Sequence, residues 1–148
     1  MSLIDKNKIN IITEMRKKSS IMLVIDPQMG WITPCTKIVF RSIIEFIDLN
    51  KLEKNTVIAL FSNSKKSNFR TLMPEWDGFT DDKDKEIIRC FSNKKFKKYY
   101  HHTYSMPPVF WKDLRSREIK HLFLTGVETD ASIIKTAMDA FDKESINM

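Results

Sequence analysis

Residues 121–143 read HLFLTGVETDASIIKTAMDAFDK, and this stretch decides which fold the chain is expected to adopt. It begins with an apolar run at residues 122–124, followed by a β-branched threonine, which predicts a short buried strand. Gly126 ends the run and allows the backbone to bend sharply. Apolar residues then recur at helical spacing: Ile134, Ala137, Met138 and Phe141. The stretch is therefore predicted to be a strand, a tight turn and a helix.

The turn between this strand and this helix carries polar side chains. Thr129 and Asp130 offer oxygens that can cap a helix N-terminus. Ser132 is then expected just inside the helix N-terminus, at the carboxyl end of the strand. In an open α/β sheet ligands bind at that edge, and a helix N-terminus stabilises negative charge. Ser132 is therefore a candidate functional residue.

The rest of the chain repeats this alternation of strand and helix. Apolar runs at residues 21–25 (IMLVI) and 57–61 (VIALF) predict strands buried on both faces, as in a parallel sheet. Residues 97–102 predict a third strand that few apolar residues mark. Helices are predicted at residues 4–18, 36–49, 81–91 and 107–114, with a polar loop at residues 62–74. This order predicts a three-layer α/β/α fold with a mainly parallel sheet and right-handed crossovers.

The composition is that of an ordinary soluble protein. The 148 residues are 42% hydrophobic and 30% charged, with no apolar run of membrane-spanning length and no secretory signal. Two cysteines, Cys35 and Cys90, favour a reducing cytoplasm over a disulfide scaffold. The net charge of +6 is interpreted as a lysine-rich solvated surface, because the sequence contains no recognisable nucleic-acid-binding motif. We expect one cytoplasmic domain over residues 1–148, with neither a membrane nor a nucleic acid as partner.

Residues 126–140 resemble the signature of the isochorismatase-like cysteine hydrolases, the superfamily that includes the nicotinamidases. The signature has the form G-V-x-T-D-x-C-V-x-x-T-A-x-D-A, and the matching residues are Gly126, Val127, Thr129, Asp130, Thr136, Ala137, Asp139 and Ala140. Ser132 stands where the family has its nucleophilic cysteine. The resemblance implies an isochorismatase-like, Rossmann-like topology with strand order 3-2-1-4, and it implies a degenerate member of the superfamily.

Two other segments carry the resemblance and imply the remaining catalytic residues. LVIDPQMGW, residues 23–31, resembles L-V-I-D-x-Q-x-x-F, with Asp26 in the place of the catalytic acid. HHTYS, residues 101–105, resembles K-x-x-Y-S, with His101 where the family has lysine. The implied catalytic residues are thus Asp26, His101 and Ser132. The resemblance also implies an oxyanion and substrate pocket built from Gln28, Trp31, Tyr104, Val127 and Glu128, with a cis peptide bond at Val127–Glu128.

The two replacements leave several hypotheses open. A serine hydroxyl is a poor nucleophile without a strong base, so the site is interpreted first as catalytically impaired, a pseudoenzyme. Asp26, His101 and Ser132 are also the residue types of a serine hydrolase triad, if His101 lies between the other two. Lys97 or Lys98 is an alternative source of the missing cation. A fourth hypothesis is a binding or oligomerisation module that keeps the pocket without turnover.

Cofactors and partners follow from the same comparison of motifs. Nicotinamidases bind a metal through an Asp-x-His and a second histidine, whereas the corresponding loop here reads Ser64-Lys65-Lys66. We therefore expect no metal, no cofactor and no nicotinamidase activity. The expected partner is a small-molecule substrate or ligand. Because the sequence ends soon after its last helix, the fourth strand is expected either at a sheet edge or covered by something else, such as a second subunit, and a homo-oligomer is expected.

Overall fold

The computed structural model describes residues 10–143, and its centre is one parallel sheet. The strands are Ser20–Ile25 (β1), Thr56–Phe61 (β2), Lys97–His101 (β3) and His121–Gly126 (β4). They pair in the order β3-β2-β1-β4, and all three pairings are parallel. The sheet has the strand order that the sequence predicts.

Helices connect the strands. They span residues 10–15 (α1), Pro34–Leu49 (α2), Asn68–Leu72 (α3), Asp82–Lys85 (α4), Arg89–Ser92 (α5), Pro108–Ser116 (α6) and Ile134–Phe141 (α7). Short 3-10 turns lie at Met29–Trp31 and Glu53–Asn55, and a π-helical turn lies at Thr129–Ile133. The first part of the predicted helix at residues 4–18 lies outside the described residues. No helix within residues 10–143 is long and apolar enough to cross a membrane.

The sheet is covered by helices on both faces. Ile21, Leu23 and Ile25 point to one face of β1 and pack with α6 and α7. Met22 and Val24 point to the other face and pack with α2 and α5. Because successive side chains of a strand alternate, a strand covered on both sides needs an uninterrupted apolar run. The predicted three-layer α/β/α fold is confirmed.

The start of α2 is fixed by the residues that precede it. Thr33 and Thr36 form a reciprocal cap, in which the Thr36 N–H donates to Thr33 Oγ1 at 3.1 Å and the Thr33 N–H donates to Thr36 Oγ1 at 2.7 Å. Pro34 occupies the first helical position, where its missing N–H costs nothing. The helix begins slightly earlier than predicted and presents Phe40, Ile44 and their neighbours to the core.

Two segments between β2 and β3 differ from the prediction. The expected helix at residues 81–91 is two short helices, α4 and α5, because Ile87 leaves the helix to form an antiparallel bridge with Gln28. The expected loop at residues 62–74 contains α3, which Ser67 caps by accepting from the Phe69 N–H. Both differences come from contacts that no local periodicity encodes.

The apolar stripe of α7 lies largely at the surface, whereas periodicity alone assigns it to the core. Ile134, Met138 and Phe141 are 51%, 59% and 76% exposed. The buried residues of the helix are Thr136 and Ala140. Ile134 and Met138 border a surface groove with residues 103–105, which follow β3. Most residues of the edge strand β4 are only half-buried.

Candidate active site

Asp26 and His101 meet at the carboxyl edge of the sheet. Asp26 directly follows β1 and adopts a left-handed backbone (φ 56°), while its N–H donates to the carbonyl of Ala59 at 2.9 Å. His101 is the last residue of β3 and reaches over the end of β2. Its Nε2 lies 2.7 Å from Asp26 Oδ1, and both side chains are almost completely buried. Two residues 75 positions apart thus form one buried pair.

The second ring nitrogen of His101 defines its protonation. Nδ1 lies 2.6 Å from the carbonyl oxygen of Thr103, which can only accept, so Nδ1 carries a proton. Burial acts to lower the pKa of His101, but the hydrogen bond and charge of Asp26, with the Thr103 carbonyl, outweigh it and raise the pKa above its ordinary value. The pair is therefore best described as an imidazolium bound to a carboxylate, with both ring N–H groups donating.

Ser132 reaches the same edge through the turn after β4. Gly126 has φ 131°, and a Cβ there would lie 2.2 Å from the carbonyl oxygen of Ile25. Glu128 then adopts a left-handed conformation, and the Ile133 N–H donates to its carbonyl at 3.3 Å, which opens a π-helical turn. Ser132 lies in this turn, buried, and its carbonyl accepts from Thr136 Oγ1 at 2.6 Å. Such turns recur at functional sites.

This turn corrects two expectations. Thr129 and Asp130 do not cap a helix, since the residue before the π-helical turn is Glu128 and its side chain forms no capping hydrogen bond. The Val127–Glu128 peptide bond is trans, as are the other peptide bonds of residues 10–143. The left-handed backbone of Glu128 makes the change of direction that the resemblance assigns to a cis bond.

A cavity of about 220 Å³ opens beside these side chains. It is lined by Asp26, Trp31, Phe61, Phe69, Met73, Trp76, Tyr104, Glu128 and Ser132. Asp26 and Ser132 therefore face one cavity, as the sequence predicts, and Trp31, Tyr104 and Glu128 are among its predicted lining residues. His101 stands behind Asp26 and does not line the cavity.

Gln28 and Val127 do not line the cavity, in contrast to the prediction. The Gln28 side chain is clamped between backbones, because its Nε2 donates to the carbonyls of Phe61 (3.0 Å) and Lys85 (3.2 Å) and its Oε1 accepts from the Phe61 N–H (2.7 Å). Val127 is buried in the core beneath α2. Both residues are structural: one ties β2 to the neighbouring loop, and the other fills space under the turn.

Three lining residues escaped the sequence analysis. Phe61 ends β2, and its position at the carboxyl edge was a usable signal. Phe69 and Met73 are apolar residues in a segment that is otherwise polar, and this contrast was a second signal. Trp76, from the same segment, also lines the cavity. The wall of the cavity is thus more aromatic than the motifs alone suggest.

The lysines proposed as alternatives to His101 lie elsewhere. Lys97 pairs with Asp113 at 2.8 Å, and Lys98 is exposed to solvent. In residues 10–143 no group of three or more His, Cys, Asp and Glu side chains is arranged to hold a metal ion. The side chains around the cavity therefore do not fit a metal site.

The geometry also bears on the serine hydrolase triad. In such a triad, one imidazole nitrogen faces the serine and the other faces the carboxylate. The two nitrogens of His101 face Asp26 and the Thr103 carbonyl, so neither is left for Ser132. The condition of the triad hypothesis, with His101 between the other two residues, is thus not met by this geometry: Asp26 lies between His101 and the cavity that Ser132 lines.

Comparisons with known proteins agree with this architecture. The profile of the isochorismatase domain family matches residues 20–145. A search of curated proteins gives no match. Among solved structures, the chain is similar to a cysteine hydrolase from Pseudomonas syringae pv. phaseolicola 1448A, with a TM-score of 0.73 and 17% identity over 86% of this chain and 68% of that one.

Two further structures share the fold. N-carbamoylsarcosine amidase from Thermoplasma acidophilum has a TM-score of 0.72 and 18% identity, over 86% of this chain and 78% of that one. A nicotinamidase/pyrazinamidase from Bacillus subtilis has a TM-score of 0.70 and 18% identity, over 86% and 81% of the two chains. At these identities, the likeness shows the fold alone. The domain match covers most of the sequence, and the chain belongs to the isochorismatase family.

Proposed function

We propose that this chain is a catalytically impaired member of the isochorismatase family, whose pocket binds a small molecule with little or no hydrolysis. The observation that carries the proposal is the engagement of both ring nitrogens of His101, by Asp26 at 2.7 Å and by Thr103 at 2.6 Å. Ser132 therefore has no imidazole to accept its proton. A hydroxyl is essentially un-ionised near neutral pH, so it needs such a base in order to attack a carbonyl.

The second half of the argument concerns Asp26. Its carboxylate already accepts a charge-assisted hydrogen bond from His101. A thiol can be deprotonated by such a group because its ordinary pKa is about 8.5, far below that of an alcohol. Asp26 and His101 thus retain a carboxylate and a cation that suit a cysteine nucleophile, whereas the residue in the nucleophile position is Ser132.

Labelling with a fluorophosphonate, which modifies activated serines, tests the proposal. We expect no adduct on the wild-type protein by intact mass spectrometry, and none on Ser132→Ala. The folding of each variant is checked by circular dichroism and thermal melting. An adduct that maps to Ser132 and disappears in Asp26→Asn would overturn the proposal.

That contrary outcome defines the second candidate function, a hydrolase of C–N or related bonds that uses Ser132. It is favoured by one observation, the presence of Asp26 and Ser132 on the wall of the same cavity. In this mechanism Asp26 itself takes the serine proton, while His101 remains its charged partner. Loss of labelling in Asp26→Asn, together with turnover of simple amides by the wild type, would select it.

We also propose that the chain is a single cytoplasmic domain that forms a homo-oligomer. Two separate features support association: the exposed apolar residues Ile134, Met138 and Phe141 of α7, and the half-buried edge strand β4, because exposed apolar side chains and an unpaired sheet edge each favour contact with a second copy. Cys35 and Cys90 are free thiols, which supports a reducing compartment. Light scattering coupled to gel filtration should give more than one chain per particle, and Met138→Lys should shift it to the monomer. A monomeric wild type would remove the oligomer from the proposal.

A further inference from the structure

The cavity beside Asp26 is lined by two contrasting kinds of side chain. The first is a series of neighbouring aromatic rings from Trp31, Phe61, Phe69, Trp76 and Tyr104. Their centroids lie 5.1–6.3 Å apart from Trp31 to Phe61, from Phe61 to Phe69, and from Phe69 to Tyr104. The second kind is polar and comes from Asp26, Glu128 and Ser132.

Neighbouring rings of the lining are steeply inclined to one another. Phe69 stands at 84° to Phe61 and at 84° to Tyr104, and Trp76 is tilted by 51° from Phe69. A ring face carries negative partial charge and attracts an ammonium, guanidinium or pyridinium group within about 6 Å.

The two ionisable acidic residues of the lining, Asp26 and Glu128, carry charges of the same sign. The charge of Asp26 is balanced by His101 behind it, but Glu128 faces the cavity without a basic neighbour in the lining. Burial raises the pKa of Glu128, and the negative charges of Asp130 and Asp26 raise it further. Among the described residues, the lining contains neither lysine nor arginine. The lining therefore repels an anion. A bound cation would supply the positive charge that the lining lacks.

We infer that this pocket takes a small organic cation, whose charged end lies between Glu128 and the aromatic wall. The inference rests on the binding role proposed for the same pocket, and it names the class of ligand. The cavity has the volume of about seven water molecules at roughly 30 Å³ each, which suits a compact ammonium or pyridinium ion rather than a drug-sized molecule.

Calorimetric titration with isosteric probes tests the inference on the full chain. The probes are choline, the neutral alcohol in which a tert-butyl group replaces the trimethylammonium group, and pivalate as the anion. A second pair, N-methylpyridinium and toluene, repeats the comparison with flat molecules. We expect each cation to bind about tenfold more tightly than its neutral isostere, and pivalate not to bind at millimolar concentration.

Matched variants locate the preference. Glu128→Gln should reduce the affinity for choline about tenfold while leaving the neutral alcohol unchanged. Glu75→Gln should alter neither, because Glu75 is exposed and lies outside the lining of the cavity. Trp76→Leu, which keeps an apolar wall but removes a ring, should also weaken choline binding. Circular dichroism and thermal melting confirm that each variant is folded.

The outcomes separate this inference from the proposed function. Equal or tighter binding of the neutral or anionic probe, or no binding of any probe at millimolar concentration, would overturn the cation inference. A fluorophosphonate adduct on Ser132 together with cation selectivity would overturn only the impaired-hydrolase proposal. Cation selectivity that persists in Glu128→Gln but is lost in Glu75→Gln would also contradict the inference. That result would assign the recognising charge to Glu75 instead of Glu128.

Discussion

Gln28 and Phe61 are joined by two hydrogen bonds between one side chain and one peptide unit. The Phe61 N–H donates to Gln28 Oε1 at 2.7 Å, and Gln28 Nε2 donates to the Phe61 carbonyl at 3.0 Å. The amide thus extends the pairing of β1 and β2 beyond the last backbone bonds of the ladder. Because the ring of Phe61 forms part of the cavity wall, this clamp also fixes the position of that wall.

Replacement of this amide is expected to be costly. Gln28→Glu keeps the shape of the side chain but removes the two N–H donors that face the carbonyls of Phe61 and Lys85. We expect a loss of about 2–4 kcal/mol in the free energy of unfolding, since buried acceptors are left unpaired and a charge is buried. Urea denaturation followed by circular dichroism measures it. A change below about 0.5 kcal/mol would show that the clamp is dispensable.

The buried pair of Asp26 and His101 predicts a pH dependence of stability. The folded-state pKa of His101 is raised above its unfolded value of about 6.5, so its contribution is fully present below pH ~6.5 and is lost as the pH rises through the folded-state pKa. Melting temperature is measured against pH for the wild type and for His101→Gln. The difference between the two profiles isolates the effect of His101 from that of His102 and His121. We expect the difference in melting temperature to shrink as the pH rises above ~6.5.

Nitrogen-15 NMR gives an independent measurement of the same pair. At pH ~6.5, both His101 ring nitrogens should show the chemical shifts of a protonated imidazolium, because Nδ1 faces a carbonyl and Nε2 faces a carboxylate. His102 serves as the internal reference. A neutral His101 at that pH would contradict the description of the pair as an ion pair.

Restoration of the thiol is a third prediction. Ser132→Cys, in a background with Cys35→Ser and Cys90→Ser, places one thiol beside the Asp26 carboxylate. We expect iodoacetamide to modify it, and we expect the rate to fall about tenfold or more when Asp26→Asn removes the proton acceptor. Mass spectrometry over a time course supplies the rates. If Asp26→Asn left the rate unchanged, Asp26 would not serve as a base toward position 132.

Asp113 predicts a stability effect far from the cavity. Its carboxylate accepts from the Tyr99 hydroxyl and pairs with Lys97 at 2.8 Å, which ties β3 to α6. Burial acts to raise the pKa of Asp113, but the bonds from Lys97 and Tyr99 outweigh it and lower the pKa. Its contribution is therefore present above pH ~3.9 and is lost as the pH falls through the folded-state pKa.

Asp113→Asn should cost about 1–3 kcal/mol at neutral pH, as measured by urea denaturation, because it weakens hydrogen bonds to charged groups. Asp82→Asn is the matched control, since Asp82 forms an exposed pair with Lys85 at 3.5 Å and should cost less than about 0.5 kcal/mol. Equal losses in the two variants would mean that the Asp113 cluster adds nothing beyond a surface ion pair.

The sheet could be predicted because its central strands have a clear local sequence pattern. The runs at residues 21–25 and 57–61 are apolar without interruption, and a strand covered on both faces needs such a run. The same reasoning predicts the positions of the two polar residues at the sheet edge. Asp26 directly follows one predicted strand, and Ser132 comes shortly after another. Their convergence on one cavity is a property of the topology, and the resemblance to the family supplied that topology.

The remaining features depend on contacts between distant segments. The left-handed turn at Glu128 replaces the predicted cap, and periodicity carries no signal for it. Thr103 is the second partner of His101 only because the chain turns back directly after β3. Likewise, the stripe on α7 has the spacing of a core face, yet it lies outside because Thr136 and Ala140 approach the neighbouring layer instead. Spacing identifies a face, but tertiary packing decides what covers it.

The cavity draws its walls from two differently constrained parts of the chain. Phe69, Met73 and Trp76 come from the connection between β2 and β3, whereas Asp26 and Ser132 are set by the strand ends. Much of the aromatic lining and the polar residues at the strand ends are therefore contributed by different segments of the chain. Substitutions between residues 62 and 81 can reshape the cavity while Asp26 and Ser132 keep their places, so the shape of the ligand and the chemistry at the sheet edge can diverge separately.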